Sequence, residues 1–127
     1  SEIVTFTGPI FGFESYRRFV FLYQEDVSEH FIWLQSVENP DLCFILVQPS
    51  LVMEPYEPQL PAEAQELLGD GDYMCWLLVS IRPFDRSTVN LKSPVVVNPA
   101  LHRAAQFILD ADLPLRHPLF REEESAC

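Results

Sequence analysis

Eleven prolines divide this 127-residue chain into apolar stretches too short for most helices. Proline lacks an amide donor and its ring clashes with the preceding turn, so helix interiors reject it. The stretches between them are rich in β-branched and aromatic residues, which suit a pleated, half-buried strand. Ile3–Phe6, Phe19–Tyr23, Phe31–Ser36 and Leu42–Val47 are predicted as strands. Gly8-Pro9 turns the chain after the first, the polar run 24–29 separates the second from the third, and Asn39-Pro40-Asp41 precedes the fourth. Met53–Pro61 is Pro-rich and extended. Tyr73–Ile81 reads as a central strand, apolar on both faces. After a loop over 82–87 come Val89–Leu91, Val95–Val97 and Ala104–Leu109.

One helix is expected, starting near Pro61, where a missing amide donor costs nothing. Glu63 and Glu66 favour the unpaired amides of a first turn, and Leu60, Ala64, Leu67 and Leu68 form an apolar stripe. Gly69-Asp70-Gly71-Asp72 ends it. Many short strands with turns between them and one helical excursion imply an all-β fold: a small, partly open β-barrel or barrel-like sandwich with one short helix. The length suits one domain over 1–120, followed by a charged, flexible tail over 121–127.

Charge narrows the function. Nineteen Asp and Glu face eight Lys and Arg, a formal net charge of −11. The scattered basic residues cannot track a phosphate backbone, so direct nucleic-acid binding is excluded. An acidic surface suits a basic protein partner; the plainer reading is that it keeps the protein soluble. No apolar run is long enough to span a bilayer, and Ser1-Glu2-Ile3-Val4 does not begin a signal peptide. Cys43, Cys75 and Cys127 are an odd number at wide spacing, which argues against a disulfide framework. A cytoplasmic protein is expected, with Cys43 and Cys75 as small core residues.

Catalytic signatures are lacking. His30, His102 and His117 are far apart without metal-ligand spacing, and the serines lack a Gly-flanked elbow. Four glycines supply no phosphate-cradling loop. No enzyme activity, metal or cofactor is expected. Phe19, Phe31 and Phe44 read as core, whereas Phe11 and Phe13, at period two in a Pro/Gly segment, are candidates for an exposed or groove-lining role. Asn90, Lys92 and Ser93 form a polar break that either hydrogen-bonds the turn before Pro94 or meets a partner. Arg116 is open to a structural salt bridge or a partner contact, and His117 reads as a structural histidine.

Gly8-Pro9-Ile10-Phe11-Gly12-Phe13-Glu14 resembles the Gly-x-Pro-Gly-Phe-Glu element of the FliW family of flagellar assembly factors, with Phe11 where that family often has Pro. The resemblance continues through Phe31–Ser36, Asn39–Phe44, Thr88–Asn98, Arg103–Leu109 and Leu115–Leu119, in order along nearly the whole chain. Members usually begin with a further strand ahead of the equivalent of Ile3–Phe6, so a missing edge or barrel seam is expected. The resemblance implies a non-catalytic cytoplasmic protein that binds flagellin, shielding its terminal helices. It also implies binding to the basic RNA-binding regulator CsrA, whose repression of flagellin translation is thereby relieved. Phe11 and Phe13 are then the flagellin-binding candidates, and Glu54, Glu57, Asp70 and Asp72, flanking the helix, the regulator-binding candidates. Asn90, Lys92, Ser93, Arg116 and His117 are the polar residues of the family-like segments. A dedicated flagellin chaperone without regulator binding, or a small enzyme, are the alternatives.

Overall fold

The computed structural model describes residues 3–8, 10–23, 30–80 and 87–119. The chain forms β1 (Ile3–Phe6), β2 (Arg18–Tyr23), β3 (Phe31–Ser36) and β4 (Cys43–Val47), then a 3-10 turn at Pro49–Leu51 and α1 (Glu63–Leu68). There follow β5 (Met74–Ser80), β6 (Thr88–Val89), β7 (Val95–Asn98), β8 (Arg103–Gln106) and β9 (His117–Pro118). The strands run β4-β3-β2-β1-β8-β7-β5, and β4 pairs again with β5. Seven strands thus close into the expected small barrel with one short helix, and β6 and β9 extend as a ribbon from β5. No seam is missing: β1 pairs with β2 antiparallel and with β8 parallel, so its backbone is bonded on both sides.

Alternation decides what faces inward. Phe6, Phe19, Ile32, Leu34, Leu46, Trp76, Val95 and Val97 fill the barrel interior. Their neighbours Val47, Leu77 and Val89 point outward and form a second cluster with Leu91, covered by Tyr56, Val52, Leu113 and Leu119. β5 is apolar on both faces because it needs both. It pairs with β4 on one side and with β7 and then β6 on the other.

Six residues are too few for an isolated helix, so α1 depends on packing. Ala64 and Leu68 lie on Val96, Ala105 and Phe107, with Leu60 and Leu67 beside them, as the apolar stripe requires. The helix begins two residues after Pro61, whose carbonyl accepts the Ala64 amide at 3.0 Å. It stops at Gly69, whose φ of 80° is a left-handed conformation that glycine adopts without strain. The fully buried Asn98 fixes the exit, donating through Nδ2 to the carbonyls of Leu68 (2.8 Å) and Asp70 (3.0 Å). Its Oδ1 accepts the Ala100 amide at 3.2 Å. Asn98→Ala strands these groups and is expected to cost about 2–3 kcal/mol in urea unfolding. A cost below about 0.5 kcal/mol would show that water replaces the amide.

Glu38 joins the first hairpin to the second, accepting the backbone amides of Arg17 (2.8 Å) and Arg18 (3.1 Å). These amides, Arg18's foremost, hold its carboxyl below the usual range. Because the folded state lowers the pKa, this contribution is present above the ordinary glutamate range and is lost as pH falls through the folded value.

The expected strands occur with small boundary changes. Val89–Leu91 shortens to Thr88–Val89, and Ala104–Leu109 shifts to Arg103–Gln106. Besides the seam, a second expectation fails: Cys43 is exposed, because it opens β4 opposite Gln35 on the outer face, and Cys75 is only partly buried. The predicted connections over 24–29 and 82–86, Ile81 and the charged tail lie outside the described residues.

Candidate functional site

Two surfaces carry the predicted residues. The first caps one end of the barrel. Buried Ile10 anchors the loop after β1, and the Phe13 amide bonds back to its carbonyl at 2.9 Å. Gly12, at φ 92°, supplies the left-handed residue this turn needs. Phe11 and Phe13 are 44% and 38% exposed. Phe13 is nevertheless seated, its ring meeting Phe44 edge-on at 5.1 Å. The Phe11 amide donates to Gln106 Oε1 at 2.9 Å, and the buried Gln106 donates in turn to the Ser93 carbonyl at 3.1 Å.

The second surface is a groove between the Pro-rich strap after β4 and the 109–113 loop. Its cavity of about 410 Å³ is lined by Met53, Tyr56 and Glu57 on the strap and by Leu109, Asp110 and Asp112 on the loop, among others. Both walls hang on one residue. The Tyr56 hydroxyl donates to the Leu91 carbonyl at 2.7 Å, and the Leu91 amide donates to the Pro114 carbonyl at 3.0 Å. Burial, and secondarily the nearby Cys75, push the Tyr56 phenol well above its ordinary range, so it stays a donor. Asn90 shapes the turn beneath, its Oδ1 accepting the amides of Lys92 (3.1 Å) and Ser93 (3.0 Å). The Lys92 carbonyl accepts the Leu109 amide at 2.8 Å. Asn90 and Lys92 therefore bond within the turn, and Ser93 is buried there.

A more open cavity of about 600 Å³ shares Met53, Tyr56 and Glu57 and adds Glu54, Met74 and Trp76. Glu54 and Glu57 therefore come together on the strap. Asp70 and Asp72 are exposed in the turn after α1, which leads into Met74, and the Asp70 carboxylate accepts the Gln65 amide. Arg116 is exposed and makes no ion pair among the described residues, while half-buried His117 pairs with Val89 in the β6–β9 ribbon.

For chemistry the groups are poorly placed. Desolvation raises the thiols of Cys43 and Cys75, disfavouring a nucleophilic thiolate. Among the described residues no three His, Cys, Asp or Glu side chains gather as metal ligands, and no helix is long and apolar enough to cross a membrane. What remains is a closed barrel with an aromatic cap and an acidic groove. The family model described as FliW protein matches residues 1–119. The chain belongs to the FliW family.

Relatives agree. The chain is 30% identical to the flagellar assembly factor FliW of Caldanaerobacter subterraneus subsp. tengcongensis, over 98% of this chain and 87% of the relative. It is 37% identical to the FliW of Geobacter sulfurreducens, over 94% of this chain and 77% of the relative. A crystal structure of the flagellar assembly factor FliW superposes with a TM-score of 0.86 at 34% identity, covering 95% of this chain and 87% of the other. FliW proteins are non-catalytic flagellar assembly factors, and at that level the role is this chain's too. Tyr56, Gln106, Asp110 and Asp112 stand in no motif that marks them in the sequence. Asp110-Ala111-Asp112, a small acidic break after an apolar run, was the signal available.

Proposed function

We propose that this FliW-family protein acts stoichiometrically by binding flagellin, and that it also binds and antagonises a CsrA-type RNA-binding regulator, relieving repression of flagellin translation. The observation that carries the reading is the family match across residues 1–119 on a chain with a net charge of −11. Such a field steers a basic partner toward the barrel and, once the partner is bound, lowers the potential that attracts RNA to it. The exposed Phe11 and the seated but part-exposed Phe13 favour a role against flagellin, whose amphipathic terminal helices need their apolar faces covered before assembly.

Two titrations test it. Purified flagellin should bind with a fixed stoichiometry by calorimetry, and Phe11→Ala with Phe13→Ala should weaken that binding about tenfold or more. The same variant should keep its circular dichroism and lose about 2–4 kcal/mol of stability, from the half-buried area of the two rings and the Phe13–Phe44 contact. Global loss of structure would make these rings core residues instead. Adding the protein to a regulator–RNA complex should release RNA with a break at a fixed molar ratio that holds over hours. No release, with flagellin binding intact, would leave a dedicated flagellin chaperone. Substoichiometric, time-dependent release would mean catalysis.

A further inference from the structure

We infer that the groove between the strap and the 109–113 loop is a docking site for a basic, amphipathic segment of a partner protein. An apolar side chain enters the cavity and flanking Lys or Arg side chains meet Glu57, Asp110 and Asp112. The inference rests on the proposed capture of a basic regulator and assigns that capture a place, adding two carboxylates from a loop remote in sequence.

Three observations support it. The lining joins apolar surface from Met53 and Leu113, over the buried Leu109, to three exposed carboxylates and contains no Lys, Arg or His. An anionic occupant would be repelled, and a purely apolar one would strip water from the carboxylates without replacing their hydrogen bonds. A segment carrying both features matches the whole lining. Size also fits: about 410 Å³ lies within the roughly 300–1,000 Å³ of sites that enclose small organic groups, enough for one or two side chains. Finally, the groove is preformed. Tyr56 and Pro114 bond the same residue, Leu91, from the two sides, so little ordering remains to be done on binding.

The test uses a fluorescein-labelled helical peptide of Leu and Lys, with an oligolysine and a Leu/Glu counterpart as controls. The variant Glu57→Gln, Asp110→Asn, Asp112→Asn removes charge with little change of shape. It should bind the Leu/Lys peptide about tenfold more weakly at low salt, with a flatter salt dependence. Glu63→Gln with Glu66→Gln, on α1 outside the groove, should leave binding unchanged. Met53→Ser should weaken the Leu/Lys peptide but not oligolysine. Equal binding by the triple variant and the α1 variant, or oligolysine binding as tightly as Leu/Lys, would overturn the site. Assaying the regulator alongside separates the two ideas. Loss of the peptide with the regulator still bound upholds the groove and moves the regulator elsewhere. Retention of both the regulator and the peptide by the triple variant removes the groove and keeps the proposed function.

Discussion

Phe19→Ala is expected to lower the free energy of unfolding by about 3–5 kcal/mol, the usual cost of emptying a large buried aromatic site. Phe19 is fully buried, with its ring edge-on to Phe6 at 5.1 Å and 6.1 Å from Phe44. The sequence of contacts Phe6, Phe19, Phe44, Phe13 leads from the barrel interior to the exposed cap. Small domains hold only about 5–15 kcal/mol in total, so this loss leaves a marginal protein. Urea unfolding followed by the fluorescence of buried Trp76 measures it. A loss below about 1 kcal/mol would mean that neighbouring rings collapse into the space and that the aromatic column is not a rigid support for Phe13.

Changing Glu54, Glu57, Asp70 and Asp72 to lysine is expected to slow capture of a basic regulator by about tenfold or more at low salt. Each change shifts the charge by two units, so four bring the net charge from −11 to −3. Steering acts on encounter, so the effect belongs to the association rate and should shrink as added salt shortens the Debye length. Stopped-flow association at two salt concentrations reads both. All four side chains are exposed, so the fold should survive, as circular dichroism would verify. An unchanged on-rate at low salt would remove these residues as the steering face.

Local pattern made the strands legible and topology stayed hidden. Ile3–Phe6 and Phe31–Ser36 occur residue for residue as predicted, because alternation over a few residues records which side is buried. The α1 stripe is equally readable, since Ala64, Leu67 and Leu68 share one face in a helix, while Leu60 reaches the same cluster from the chain ahead of it. Closure of the ring was not, because β4–β5 and β1–β8 pair residues with no proximity signal in the sequence. The strand His117–Pro118 is too short to show a period and contains a residue that strands usually avoid. The exposure of Cys43 is not legible in the sequence, because an apolar run does not say which parity faces out. At the candidate sites, Phe11 and Phe13 stood out through their Gly and Pro neighbours. Asp110 and Asp112 join Glu57 only through the tether at Leu91, a tertiary fact.

The pairing of β1 with β8 brings Thr5 beside Arg103 and Phe6 beside Ala104. Contacts between such distant positions are slow to form, because a long loop must be closed before any bond rewards it. During synthesis the β1–β4 hairpins can assemble as they emerge, but the ring cannot shut until residue 106 has left the ribosome. Until then β1 offers a bare strand edge to whatever is nearby. Before that point the nascent protein is an open sheet, and the ring of seven strands is completed only by its last barrel strand.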